Sequence, residues 1–126
     1  MIGSTRSVSV FAYAAPVDMR KSWEGLGAIV RNDLGQDLLE GSFYLFVNRR
    51  RNRSKVLFFD GTGLCIYMKR LERNRFAKLW RQTKSKTLSL SMSEMQLFLE
   101  GSDAVGRITL VPERIKSKTL AISSQI

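Results

Sequence analysis

The chain has 126 residues, enough for one domain with a substantial core but short for two. It carries 21 Lys and Arg against 11 Asp and Glu, a formal net charge of +10, and has no histidine and a single cysteine. That composition excludes Ser-His-Asp and Cys-His nucleophile arrangements, His-containing metal sites, cysteine-held zinc and an internal disulfide framework.

Taken in chain order, residues 8–13 alternate as a strand that Pro16 ends. Asp18 stands where a carboxylate would cap the first free N–H groups of a helix. Met19, Trp23, Leu26, Val30 and Leu34 then recur at helical spacing, which predicts a helix over residues 19–34 with Gly35 as its C-terminal cap. After a polar connection, residues 43–47 and 55–59 are β-branched and aromatic runs of strand length. The first is apolar at every position, which predicts that both faces of its sheet are covered.

Residues 48–54 between these strands are too polar and charged for anything but a surface loop. Asp60-Gly61-Thr62-Gly63 signals a hairpin into a third strand at 64–71, with either the first two residues or all four forming the turn. Antiparallel pairing then sets Leu57 opposite Leu64 or Ile66, and Lys69 opposite Asn52 or Ser54. A turn at residues 72–75 returns the chain into 76–80, which reads equally as strand or helix. Residues 87–90 suit a short strand, and Ser91-Met92-Ser93-Glu94 matches a capping box opening a helix at 92–100 that Gly101 stops. Residues 107–111 could form an edge strand, and the end of the chain reads as a mobile tail. The fold expected is a single α+β domain over 1–126, with a core at about 8–103 and a tail at about 104–126. It consists of an antiparallel β-meander packed with two main helices, and two loops form a basic pole.

The charge is local. Residues 49–86 hold 13 of the 21 basic residues and only two acids, Asp60 and Glu72. The hairpin brings Arg49, Arg50, Arg51, Arg53, Lys55, Lys69, Arg70, Arg73 and Arg75 to one end of the sheet. Like charges so crowded repel, and the patch is costly unless an anion sits on it. A phosphate backbone is the obvious anion, so these nine residues are the candidate nucleic-acid-binding set. Catalysis would need a carboxylate trio such as Asp18, Asp60 and Glu72, yet a cap, a hairpin turn and a charge-balancing turn residue account for all three. No catalytic residue, cofactor or metal ligand is therefore assigned. Cys65 lies within the third strand and reads as a buried thiol. A lone cysteine suits a reducing cytoplasm, no apolar run is long enough to span a bilayer, and the amino-terminal apolar piece is too short for a signal peptide.

Asp18-Met19-Arg20-Lys21-Ser22, Phe46-x-x-x-Arg50-Arg51, Lys55-Val56-Leu57, Asp60-Gly61-x-Gly63, Lys69-Arg70-Leu71-Glu72 and Leu97-x-Leu99-Glu100-Gly101-x-Asp103, in that order, resemble one family over about residues 8–103. It is the second-reading-frame accessory protein (TnpB type) of the insertion sequence sixty-six family of bacterial transposons. The resemblance implies a small helper of transposition, with the strand-transfer carboxylates on a separate, larger transposase. Asn74 departs from the pattern at a position where glycine is expected, and asparagine is the next residue to tolerate a left-handed turn. The function expected is accessory DNA binding at transposon ends, bridging to the transposase. The alternative is a protein-interaction module whose basic surface docks on an acidic surface of the transposase. No membrane partner is expected, the protein would be cytoplasmic and nucleoid-associated, and homo-oligomerisation is left open.

Overall fold

The computed structural model describes residues 8–80 and 84–101. The strand expected at 107–111 and the tail lie outside them. Five strands form one sheet: β1 (Val10–Tyr13), β2 (Phe43–Val47), β3 (Arg53–Phe59), β4 (Leu64–Arg70) and β5 (Thr87–Leu90). Two helices, α1 (Trp23–Asn32) and α2 (Met92–Glu100), and a 3₁₀ turn at Leu38–Glu40 complete the domain.

The sheet order is β4-β3-β2-β1-β5. The expected meander is present as β2-β3-β4, but the sheet is mixed, because β1 runs parallel to β2 and antiparallel to β5. A parallel pair needs a crossover, and α1 with the 3₁₀ turn supplies it. Both sheet faces are covered, as the all-apolar β2 requires: Tyr44, Leu45, Phe46 and Val47 are all fully buried. Tyr44, Phe46 and Leu57 meet Leu26 and Val30 of α1 on one side. Leu45, Val47 and Val56 meet Met95, Phe98 and Leu99 of α2 on the other.

Residues 76–80 are neither strand nor helix. They form an irregular segment whose Phe76, Ala77 and Leu79 fill the α2 side of the core, with Phe76 stacked on Phe98 at 5.3 Å. Burying a ring of that size contributes on the order of 1.5–3 kcal/mol, so packing holds the segment without a hydrogen-bonded ladder. Gly101 ends α2 in the left-handed region, φ +65°, where a Cβ would overlap the Leu71 side chain. The Ser91 capping box forms as expected, with the Glu94 N–H donating to Ser91 Oγ at 3.0 Å and the Ser91 N–H to Glu94 Oε1 at 2.7 Å.

The cap expected at Asp18 does not form. α1 begins at Trp23 after Ser22, and the Asp18 carboxylate is engaged by Arg20 instead. The helical stripe is correspondingly shorter. Leu26 and Val30 are buried, while Trp23 is half exposed. Cys65 is only partly buried, and desolvation followed by the neighbouring Asp60 pushes its thiol up, away from the reactive thiolate.

Candidate nucleic-acid interface

All four residues 60–63 form the β3–β4 turn. Asp60 Oδ1 accepts from the Thr62 and Gly63 N–H groups, both at 2.9 Å, and from Thr62 Oγ1 at 3.1 Å. Those two backbone donors, with the Thr62 hydroxyl, hold the Asp60 carboxyl down at about 2. The turn fixes the register: Leu57 faces Ile66, Ser54 faces Lys69 and Arg53 faces Arg70. The start of β3 and the end of β4 thus share one end of the sheet.

Asn48 organises the arginine loop there. Its Oδ1 accepts from the Asn52 and Arg53 N–H groups at 3.0 and 3.1 Å, and its Nδ2 donates to Asn52 Oδ1 at 2.8 Å. Arg51 turns the loop through the left-handed region at φ +61°. The second basic loop docks on the first. The Leu71 and Phe76 N–H groups donate to the Asn52 and Arg51 carbonyls, both at 2.8 Å. Arg75 Nη1 donates to the Arg50 carbonyl at 2.6 Å, and Arg51 Nη1 to the Phe76 carbonyl at 3.3 Å. Asn74 makes the left-handed turn its residue type suggested, at φ +62°.

The nine candidates divide by what their charged groups touch. Arg49, Arg50, Arg53, Arg70, Arg73 and Arg75 are exposed, and Arg51 is partly buried. Arg70 shares its charge with Glu72 at 3.0 Å. The two lysines turn inward on opposite faces of the sheet. Lys55 is buried and its ammonium donates to the Lys21 carbonyl at 2.7 Å. Lys69 donates to the Leu99 carbonyl at the C-terminal end of α2, also at 2.7 Å, where the helix dipole favours a cation. Strand alternation separates the two: Lys55 shares the α1 face of β3 with Leu57, and Lys69, opposite Ser54, shares the α2 face with Val56.

Sequence reasoning missed a third contributor. Because β1 is parallel to β2, the chain leaves β1 at the arginine-loop end, and the Val17 N–H donates to the Val47 carbonyl at 3.0 Å. Residues 16–20 therefore lie beside residues 48–53, and the two segments wall an open cleft of about 630 Å³. Pro16 and Met19 give it apolar surface, and Arg20, Arg49, Arg50 and Arg53 give it charge. Asp18, also in the cleft wall, is committed: its Oδ2 accepts from Arg20 Nη2 at 2.6 Å, and Nε lies 3.1 and 3.0 Å from its two oxygens. The Arg20 side chain and backbone N–H hold the Asp18 carboxyl down at about 2. The exposed Lys84 and Lys86 enter β5 at the same end, since Thr87 faces Tyr13. With strands about 4.8 Å apart, the basic end reaches roughly 19 Å across the five-stranded sheet. The signal available was the shared motif at Asp18-Met19-Arg20, but the helical stripe starting at Met19 drew it into α1.

The carboxylates do not converge. Asp60 and Glu72 lie at opposite ends of β4, roughly 20 Å apart at about 3.3 Å per residue. Among the described residues no three His, Cys, Asp or Glu side chains are grouped to hold a metal, and no helix is long and apolar enough to cross a membrane.

Fold and surface define a small α+β protein with most of the exposed arginines among its described residues gathered at one end of a mixed sheet. A family model described as IS66 Orf2-like protein matches residues 8–107, and the chain belongs to that family. It is 30% identical over 103 residues to the uncharacterized protein y4hO of Sinorhizobium fredii, covering 82% of this chain and 88% of that one. It is 31% identical over 103 residues to y4jC of the same organism, covering 82% and 86%. No solved structure gives a significant match. Membership ties the chain to an insertion sequence of the IS66 type.

Proposed function

We propose that this protein is a non-catalytic accessory factor of transposition that binds the phosphate backbone of element DNA through its basic sheet end and bridges that DNA to the larger catalytic transposase. One observation carries the reading: Arg49, Arg50, Arg53, Arg73 and Arg75 lie exposed on two interlocked loops, while the nearby acids Asp18 and Glu72 already have arginine partners. Loop arginines with no groove-entering helix contact phosphates and read little base sequence. Affinity from such contacts is steeply salt-dependent and similar across unrelated sequences. It would keep the protein on the nucleoid.

An electrophoretic shift assay on duplex DNA across a salt series, with heparin as competitor, tests this. Binding that weakens steeply with salt and yields to heparin supports it. No duplex binding at low salt, together with capture of purified transposase through the same arginines, would replace it with a protein-docking role. Magnesium- or manganese-dependent nicking that co-purifies with the protein would refute the non-catalytic assignment.

A further inference from the structure

We infer that the cleft between residues 16–20 and 48–53 seats one unpaired nucleic-acid strand, with Arg20, held in place by Asp18, as its fixed phosphate donor. The inference rests on the DNA-binding reading above and assigns part of that surface a separate role.

Size is the first argument. At about 630 Å³ the open cleft is on the scale of sites that take single groups, which suits one sugar-phosphate strand lying in it, whereas a duplex would meet its rim. The composition agrees: Pro16 and Met19 offer apolar contact to a sugar or base, and Arg20, Arg49, Arg50 and Arg53 surround the opening. Guanidinium planes both pair with phosphates and stack on unpaired bases, a combination that Lys does not provide.

The Asp18–Arg20 pair is the second argument. The Arg20 side chain is 91% exposed, and an ion pair in that setting adds little to stability. Its geometry is nonetheless specific: one Asp18 oxygen accepts from the Arg20 N–H at 2.9 Å and the carboxylate accepts from Nε and Nη2. A guanidinium has five N–H groups, so this arrangement uses two and leaves both on Nη1 and one on Nη2 for a ligand. The long side chain is thereby ordered before binding, which removes an entropic cost from phosphate capture. Asp18 is a positioning residue in this scheme.

Fluorescence anisotropy with a labelled eight-nucleotide oligothymidylate, and with a hairpin duplex, tests the assignment. Arg20→Ala should weaken single-strand binding about tenfold and flatten its salt slope by roughly 0.7, while weakening duplex binding several-fold less. Asp18→Asn is the sharper variant. It adds one net positive charge, so bulk electrostatics alone would tighten binding, whereas loss of positioning should weaken single-strand binding about threefold at an unchanged salt slope. Unfolding midpoints should not move, which separates both effects from misfolding. Tighter single-strand binding by Asp18→Asn, or equal losses on both ligands in Arg20→Ala, overturns the cleft assignment while the broader DNA-binding reading stands. Failure of the wild-type protein to bind either ligand at low salt overturns both.

Discussion

The division between exposed arginines and inward lysines can be tested by asking the same binding assay two opposite questions. Lys55→Met keeps the buried stem and removes an ammonium that donates to the Lys21 carbonyl. Arg49→Ala with Arg50→Ala removes two exposed guanidinium groups that pair with no acid among the described residues. With about five phosphates neutralised at once, the slope of log K against log salt should be roughly −4.5. Raising salt from about 50 to about 200 mM should then weaken the wild type roughly 500-fold. The double arginine variant should fall to a slope of roughly −2.7 and lose only about 40-fold over that interval. Lys55→Met should keep the wild-type slope but lose about 1–2 kcal/mol of folding stability, because a charged hydrogen bond disappears and a carbonyl is left unpaired. The assays are DNA binding across a salt series and urea unfolding on each variant. A flattened slope in Lys55→Met, or a slope indifferent to Arg49 and Arg50, would refute the reasoning.

Phe76→Ala should cost about 3–5 kcal/mol, since the ring is fully buried against Phe98, whereas Arg73→Ala should leave urea unfolding nearly unchanged. Gly101→Ala should destabilise by at least about 1–2 kcal/mol from its left-handed backbone, and more because the new methyl meets Leu71. Pairing it with Leu71→Ala should recover only the steric part in a double-mutant cycle. Asp60, held at about 2, should remain charged well below its ordinary value of 3.8. Its folded value is depressed, so its contribution is complete above about 4 and is lost as pH falls through about 2. Carboxyl chemical shifts followed through an acid titration will check this, and a midpoint near 3.8 would show that the turn does not form.

The local grammar of the chain was legible because local chemistry decided it. The Ser91 box, the Asp60 turn and the left-handed Asn74 each need only a few neighbours, and each forms as read. The all-apolar β2 likewise forecast covering on both faces. Two matters were not legible. Nothing in residues 8–13 says that this strand inserts between β2 and β5, since period-two alternation serves parallel and antiparallel partners alike. Asp18 could cap a helix or hold Arg20; α1 starts at Trp23 rather than Met19, and the carboxylate takes the Arg20 N–H and guanidinium instead. The first ambiguity hid the second: only the parallel placement of β1 brings Asp18 and Arg20 beside the arginine loop.

Counting charge along the chain treats the clustered basic residues as equivalent and concludes that an anion must offset their repulsion. The structure distributes that burden unevenly. Lys55 and Lys69 donate to carbonyls on opposite faces of the sheet, and Arg70 meets Glu72. Arg51 and Arg75 each donate to a carbonyl of the other's loop, so that charges which would drive the loops apart hold them together. Lys55, Lys69, Arg51 and Arg70 thus have local partners, while Arg75, which donates through Nη1, remains exposed and still presents its charge. Arg49, Arg50, Arg53 and Arg73 make no such ion pair among the described residues. The interlocked loops therefore form a scaffold whose own positive charge is partly spent on backbone, while Arg49, Arg50, Arg53, Arg73 and Arg75 present theirs to solvent. The fold itself needs no anion, and these exposed arginines are the groups that a bound anion would meet. Folding stability should therefore be unchanged by phosphate or DNA well below the dissociation constant and rise by the mass-action term alone as sites fill, which thermal midpoints across a ligand titration will check.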